Sequence, residues 1–229
     1  MDFEYYYNYV PGKGFCRNNL IYTSLISKDR KTFCQWYFND TEYHRGQNQV
    51  VDPALMDEKF NREVKFLSVM GKHYPTMVPK FDIDIDKKKI YLEIDGPDMW
   101  EMVGCSGTDY SRALPDWDTQ MLKIFEAHKN LGLFKYSLHP SSYFVVNGEL
   151  KSMNYFFTYD LEDSDMSIKS VLSHISEDRQ KDLFPKIKAM GFNLDNPVPH
   201  NKLQHLAFES FKTNFKESVM NRAKEIYDI

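Results

Sequence analysis

The sequence has little of several features that define common protein classes. Its three cysteines, Cys16, Cys34 and Cys105, are scattered through 229 residues without C-x-x-C spacing. Such an odd, dispersed set of thiols argues against a disulfide framework or a zinc site and is typical of a reduced, intracellular protein. No run of about 18 apolar residues occurs, and the N-terminus, M-D-F-E-Y-Y-Y, lacks the basic start and apolar centre of a signal peptide. We therefore expect a cytoplasmic protein without a membrane partner.

An excess of positive charge is also missing. The chain carries 29 Lys and Arg against 33 Asp and Glu, which gives a net charge of −4 at pH 7. Without a basic surface, nucleic acid is not an expected partner. The chain does have 42% hydrophobic and 15% aromatic residues, enough apolar material for a buried core. Its Tyr-, Phe-, Asn- and Lys-rich composition would suit an AT-rich or viral genome.

The apolar pattern of the first half predicts strands around one helix. Asp52-Pro53 opens this helix, because Asp is a favoured N-cap and Pro suits the first turn. Its apolar stripe ends at Gly71. The predicted strands are residues 20–26 and 32–38, joined as a hairpin, and residues 78–85 and 89–94, joined by a second turn.

The second half contains the arrangement most typical of an active site. A helix at 117–131 leads into a tight loop after Gly132, and a hairpin then turns at Asn147-Gly148. The apolar periodicity after this hairpin is helical, and residues 202–227 form one long predicted final helix.

The order of these elements predicts an α+β fold in two lobes. Residues 1–95 would form a β-rich N-lobe of a sheet and one helix, and residues 96–229 a reduced, mainly helical C-lobe. A hinge would lie between Glu93 and Pro97.

Several segments, taken in order, resemble the protein-kinase fold. The resemblance covers residues 8–160 and rests on N-R-E-V-K-F-L-S-V-M, Y-P-T-M-V-P-K-F-D-I-D, I-Y-L-E-I-D-G and G-L-F-K-Y-S-L-H-P-S-S-Y-F-V-V-N-G-E-L-K-S-M-N-Y-F. It implies that Glu63 is the C-helix glutamate and Leu92 the gatekeeper, with the hinge at 93–95, from Glu93 to Asp95. Leu138 and Pro140 match the family's catalytic loop.

The resemblance also shows which chemical groups are missing. Ser137 falls on the catalytic aspartate, Ser142 on the magnesium-binding asparagine and Asn154 on the magnesium-binding aspartate of the D-F-G turn. The lysine of the third strand would lie within residues 35–38, Q-W-Y-F, where no cation occurs. The glycine-rich loop keeps Gly12 and Gly14, but its third glycine is replaced.

These replacements remove the chemistry of phosphoryl transfer, which depends on positioning and on charge stabilisation. Magnesium prefers hard, anionic oxygen ligands, so Asn154 and Ser142 are a poor pair for it. A serine at position 137 cannot accept a proton near neutral pH, and losing a general base typically costs about 10²–10⁴ in rate. The expected function is therefore that of a catalytically inactive, kinase-like protein, a pseudokinase, which has no cofactor and acts by binding an unidentified protein.

Two alternatives stay open. The chain could be an atypical ATP-dependent phosphotransferase that binds its metal through Asp160 or Asp163. It could instead be a metal-independent nucleotide sensor. The residues that would bind the nucleotide are Gly12, Gly14, Glu63, Leu92, Glu93 and Asp95.

Two further residues have simpler interpretations. Glu63 lacks the family's lysine and could pair with Arg17 or another cation. His139, in a turn before proline, is expected to be structural, since no His, Cys or acidic partner lies at metal-ligand spacing.

Overall fold

The computed structural model describes residues 2–10, 14–17, 21–40, 42–43, 53–104, 107–162 and 200–229, with 181, 184–185, 187–189, 191 and 193–195. The fold is mixed α+β, as the sequence predicts. The strands of these residues are β1 Phe3–Tyr5, β2 Tyr7–Val10, β3 Gly14–Arg17, β4 Thr23–Ser27, β5 Thr32–Trp36, β6 Phe81–Asp84, β7 Lys89–Glu93, β8 Leu133–Lys135, β9 Tyr143–Val146, β10 Glu149–Ser152 and β11 Thr158–Asp160. The helices are α1 Pro53–His73, α2 Met99–Met102, α3 Trp117–Asn130, α4 His200–Phe211 and α5 Glu217–Ile226.

A five-stranded antiparallel sheet dominates the N-terminal half. Its strand order is β1-β4-β5-β7-β6, and both predicted hairpins are confirmed as β4–β5 and β6–β7. In the first turn, the Ser27 hydroxyl accepts hydrogen bonds from the backbone N–H groups of Lys31 and Thr32. Because side chains alternate along a strand, Phe33 and Gln35 share one face of β5, and both are fully buried.

Helix α1 crosses from β5 to β6 and is two residues longer than predicted. Gly71 lies inside the helix, because it packs against the next strand instead of ending the helix. A Cβ atom at position 71 would lie 2.7 Å from Cε1 of Phe81. Only glycine therefore lets α1 approach β6 this closely.

The middle of the chain follows the predicted helix, loop and hairpin. Helix α3 ends at Asn130, and Gly132 then adopts a left-handed φ of +67° before β8. Strands β9 and β10 turn at Asn147-Gly148, both with positive φ, as a tight two-residue hairpin requires. Strand β11 returns antiparallel to β8, with Tyr159 opposite Phe134.

The prediction of one helix over 202–227 is wrong. Helices α4 and α5 are separated by a 3-10 turn at Lys212–Asn214 and by the extended residue Phe215. Phe215 is buried against Tyr110 and Trp117, with ring centroids 5.9 and 6.1 Å away. The Tyr110 hydroxyl also donates to the Asn214 carbonyl at 2.8 Å. Burial of the Phe215 ring therefore outweighs the helical periodicity of the sequence.

One connected apolar core joins the sheet, the hairpins and the helices. The inner face of β5 contributes Phe33, whose ring meets that of Phe144 from β9 at 5.7 Å. Among the described residues, no helix is long and apolar enough to cross a membrane.

Candidate functional site

The three residues that the resemblance places on kinase catalytic and metal-binding positions, Ser137, Ser142 and Asn154, lie together around a sharp backbone turn. Strand β10 ends at Ser152, and Asn154 then adopts φ 63° and ψ 56°, the left-handed conformation that Asn tolerates better than most residues. A 3-10 turn, Tyr155–Phe157, follows and leads into β11. The Met153 N–H donates to the Ser142 carbonyl at 2.9 Å, which holds the turn beside the loop before β9.

Asn154 is the centre of a hydrogen-bonded group that we call the central network: Tyr22, Gln35, Ser142 and Asn154. The Asn154 Oδ1 atom accepts from the Tyr22 hydroxyl at 2.7 Å and from Gln35 Nε2 at 2.9 Å. Its Nδ2 atom donates to Ser142 Oγ at 3.0 Å. All four residues are at most 3% exposed. The two polar atoms of the Asn154 amide thus join β5 and the residue before β4 to the turn and to the loop before β9.

Ser137 lies at the edge of the central network. Its Oγ atom is 3.3 Å from Ser142 Oγ, and its side chain is half-buried. No carboxylate, imidazole or ammonium group hydrogen-bonds to its hydroxyl in the part of the chain that is described. Ser137 therefore has neither an activating base nor a basic side chain of its own.

Three ionisable residues, Glu63, His128 and Lys135, form a buried group next to Asn154 that we call the charged cluster. Glu63 lies on α1, and its Oε2 atom accepts from the Phe156 N–H at 2.7 Å. Burial raises the pKa of Glu63 to about 7, although the positive charge of Lys135 opposes the shift. Burial lowers the pKa of Lys135 to about 7. Burial, together with the positive charge of Lys135, lowers the pKa of His128 to about 3.

Aromatic rings occupy the interior between the sheet and the β9–β10 hairpin. Tyr6, Phe33 and Phe144 are each at most 2% exposed. The Phe33 ring lies 5.6 Å from the Tyr6 ring and 5.7 Å from the Phe144 ring, measured between centroids. One contact is edge-to-face and the other is tilted, and together they connect the sheet to the hairpin through buried rings.

Among the described residues, those that the resemblance assigns to nucleotide binding lie on several elements. Leu92 is buried in β7 opposite Phe33, whereas Glu93 is exposed and pairs with Lys80 at 3.6 Å. Asp95 is exposed beyond the end of β7. Gly14 pairs with Val10 in the β2–β3 hairpin, and Gly12 lies outside the described residues.

The acids of the alternative metal site are placed only in part. Asp160 accepts from Lys65 of α1 at 2.9 Å on a half-exposed surface. Asp163 and the side chain of Arg17 lie outside the described residues. Among the residues that are described, no three His, Cys, Asp or Glu side chains are grouped so that they could hold a metal ion.

His139 has the structural role expected of it. Its Nδ1 atom accepts from the Ser141 N–H at 3.2 Å and lies 2.8 Å from the Ser141 hydroxyl, capping the 3-10 turn Pro140–Ser142. This contact between near neighbours holds the loop that carries Ser142.

The sequence did not identify Tyr22, Gln35 and Lys135 as members of the site. Lys135 gave a usable signal, because a lone cation in the apolar run L-F-K-Y-S-L is expected to be buried and to need a partner. Gln35 was considered only because the resemblance expects a lysine within residues 35–38. No local sequence pattern indicates a role for Tyr22. No protein-family model matches this sequence, and the search of curated proteins likewise gave no match.

Proposed function

We propose that this chain is a catalytically inactive, kinase-like protein that acts by binding another protein. The observation that carries the proposal is the central network. Residues from the segment before β4, from β5, from the loop before β9 and from the turn after β10 meet at one amide, although up to 132 positions separate them in the sequence. This convergence is what the kinase resemblance requires of a residue within 35–38, of Ser142 and of Asn154.

The position of α1 supports the same interpretation. In the resemblance, the C-helix lies between the strand that should carry the lysine and the two strands before the hinge. Helix α1 follows β5 and precedes β6 and β7, and its Glu63 reaches the turn after Asn154. The two-lobed division at residues 95 and 96 belongs to this proposal.

The chemistry of the network argues against phosphoryl transfer. An amide oxygen that already accepts two hydrogen bonds is a weak ligand for magnesium, which prefers anionic oxygens. The buried rings of Tyr6, Phe33 and Phe144 fill the interior beside the network. A protein that lacks catalytic groups but keeps such an ordered framework can still act through its surface. Protein binding is the function that needs only a surface.

The test is the thermal stability of the purified protein with millimolar ATP, in the presence and absence of magnesium. A ligand that binds the native state at 100 times its Kd would stabilise the fold by about 2.7 kcal/mol. We expect no change in Tm under either condition. A rise without magnesium would favour the nucleotide sensor and contradict the proposal of a pure interaction protein.

Incubation with labelled ATP and magnesium completes the test. We expect no transfer of labelled phosphate, either to the protein itself or to a generic protein substrate. Transfer that depends on magnesium and is abolished by Asp160→Asn would overturn the proposal in favour of the atypical phosphotransferase.

A further inference from the structure

The outer face of the five-stranded sheet carries aromatic side chains. Phe33 and Gln35 of β5 are buried on the inner face, so Cys34 and Trp36 lie on the opposite, outer face. On β7, Tyr91 lies opposite Cys34 and shares this face. An antiparallel sheet with one face on the core commonly has polar residues on its other face. The apolar outer face of this sheet is a departure from that pattern.

Aromatic rings cover much of the outer face. The Phe3 and Tyr91 rings lie 5.9 Å apart between centroids, although β4 and β5 separate their strands in the sheet. At the end of β5, the Trp36 and Phe38 rings stack at 4.7 Å, with 15° between their planes. Phe38 is 50% exposed, and the other three rings are half-buried. We call Phe3, Trp36, Phe38, Lys89 and Tyr91 the outer platform.

Exposed apolar side chains concentrate at the same end of the sheet. Among the described residues, the exposed large apolar side chains are Phe38, Ile85 and Ile229. Ile85 lies in the β6–β7 turn, which meets the end of β5 where the Tyr37 N–H donates to the Lys88 carbonyl at 3.0 Å. Contiguous exposed apolar surface is typical of interaction sites, and Trp, Tyr and Phe are enriched at the centres of protein interfaces.

Lys89 is the charged residue of the outer platform. It lies opposite Trp36 in the β5–β7 register, and its Nζ atom is 4.4 Å from the centroid of the Trp36 ring. Asp84 lies opposite Lys89 on β6, but its carboxylate pairs with Lys87 at 3.0 Å. Within the described part of the chain, no carboxylate oxygen lies within 4.0 Å of the Lys89 ammonium group.

The neighbouring charges lie around the border of the outer platform. Lys88 forms an ion pair with Asp57 of α1. Asp82 is exposed on the edge strand β6, and Asp86 is exposed in the β6–β7 turn. These groups can keep their contact with water when a partner covers the rings, whereas Lys89 lies against the rings and cannot.

Covering the outer platform would therefore bury Lys89 as well. A buried cation without an opposite charge is costly, and lysine is depleted in interface cores for this reason. A partner that covers the platform must supply a carboxylate to Lys89. A second copy of this chain does not do so, because a two-fold interface would place the same platform, with its own Lys89, against itself.

We propose that the outer platform is the docking surface for a partner protein. The partner covers the rings with apolar side chains and places one Asp or Glu against Lys89. This assignment rests on the proposed function, because it names the surface through which the chain would bind another protein.

The test selects binders from a library of random linear peptides displayed on phage, with the full-length protein as the immobilised target. We expect the enriched peptides to share one Asp or Glu beside aromatic or branched aliphatic residues. Phe38→Ser should weaken the binding of these peptides by about tenfold or more, because aromatic residues contribute most of the affinity of an interface. If no peptide is enriched, the proposal is wrong.

Lys89→Glu tests the charge of the partner. It should weaken the same peptides by about tenfold or more, since two carboxylates then face each other. Replacing the acid of the peptide by Lys should restore binding to this variant. Enriched peptides without an acid, or equal binding to the parent and to Lys89→Glu, would overturn the proposal.

Ile229 offers a matched control, because it is also an exposed large apolar residue but lies beyond α5 at the C-terminus. Ile229→Ser should leave peptide binding unchanged. Equal losses in Phe38→Ser and Ile229→Ser would show that the peptides respond to exposed apolar area in general, which contradicts a defined docking surface.

Hydroxyl-radical footprinting of the unmodified protein keeps the proposal testable if a variant fails to fold. An enriched peptide at saturation should protect Trp36 and Phe38 from oxidation. Trp100, a half-buried residue of α2, should react as before. Protection of Trp100 without protection of Trp36 and Phe38 would place the peptide elsewhere and overturn the proposal.

Two further measurements separate the possible failures. A dimer that forms with rising protein concentration in analytical ultracentrifugation and is lost in Phe38→Ser would identify a second copy as the occupant and contradict the proposal. Peptide binding that ignores both Phe38→Ser and Lys89→Glu would overturn this surface and leave protein binding as the function. Magnesium-dependent phosphate transfer would overturn the proposed function and leave the peptide measurements unchanged.

Discussion

The central network and the charged cluster lie at the same turn, and they differ in how their buried polar atoms are paired. In the central network, the Asn154 side chain is neutral and both of its polar atoms are hydrogen-bonded. In the charged cluster, Glu63 Oε1 and His128 Nδ1 have no hydrogen-bond partner within the described part of the chain. The first group gains from its hydrogen bonds at any ordinary pH, whereas the second depends on the protonation of Glu63 and Lys135.

This difference separates two contributions to the same fold. A neutral, satisfied network stabilises its surroundings and specifies one arrangement. A buried pair of opposite charges adds little net stability, but the loss of one partner is costly. We therefore expect the central network to connect the sheet to the hairpin at any ordinary pH and the charged cluster to make the position of α1 sensitive to pH.

The sign of this sensitivity follows from the two pKa shifts. The pKa of Glu63 is raised from 4.5 to about 7, so its favourable contribution is present below pH 4.5 and is lost as the pH rises through 7. The pKa of Lys135 is lowered from 10.5 to about 7, so its contribution is present above pH 10.5 and is lost as the pH falls through 7. Glu63 and Lys135 together therefore contribute least to the free energy of unfolding near pH 7. The pKa of His128 is lowered from 6.5 to about 3, so its contribution is present above pH 6.5 and is lost as the pH falls through 3.

The largest effect is expected when a charge is placed in the neutral network. Asn154→Asp buries a carboxylate and removes the Nδ2 group that donates a hydrogen bond to Ser142 Oγ. The free energy of unfolding at pH 7 should therefore fall by about 3 kcal/mol. Burial will raise the pKa of the new carboxyl group. The loss should therefore shrink as the pH is lowered through that pKa, as urea unfolding of variant and parent from pH 4 to pH 8 would measure.

The same variant also tests whether the turn keeps a latent metal site. Asn154→Asp introduces a carboxylate at the position that the resemblance aligns with the magnesium-binding aspartate of kinases. If millimolar magnesium recovers the lost stability of the variant, the network is a metal site that lacks one ligand, and the contrast between the two groups fails. We expect no recovery, because the Tyr22 and Gln35 donors already occupy the Oδ1 position.

A smaller effect is expected from the loss of one hydrogen bond in the network. Tyr22→Phe removes one of the two donors to Asn154 and should cost about 1 kcal/mol in chemical unfolding. Tyr37 is a matched control, because its ring lies 5.4 Å from that of Tyr22 and its buried hydroxyl has no hydrogen-bond partner among the described residues. Tyr37→Phe should be neutral or stabilising. Equal losses in the two variants would show that the network hydrogen bond contributes nothing specific.

The sequence predicted local structure better than it predicted the contacts of the site. Asn147-Gly148 and Gly132 indicated the turns correctly, because positive φ angles favour these residue types. Gly71 and residues 212–215 were misinterpreted, because the packing of Phe81 and Phe215 decides them from distant parts of the chain. Local patterns cannot report such packing.

The candidate site shows the same limit. The kinase resemblance placed Ser137, Ser142 and Asn154 by their spacing, and the structure brings these three residues together. It could not assign partners to Asn154, because Tyr22 contacts it across 132 positions of sequence. It also could not predict that Lys135 is buried, since that burial depends on the whole interior.

The smallest effect is expected at Ser137, which the resemblance aligns with the catalytic aspartate of kinases. Ser137 contacts the network only through Ser142 Oγ at 3.3 Å, and its side chain is half-buried. Ser137→Ala should therefore change the free energy of unfolding by less than about 0.5 kcal/mol, because water can replace a hydroxyl at a half-exposed site. Ser142→Ala is the matched comparison and should cost about 1 kcal/mol, since it leaves the buried Asn154 Nδ2 without an acceptor. If Ser137→Ala costs more than Ser142→Ala, the network is centred on Ser137, and its description as a neutral group centred on Asn154 is wrong.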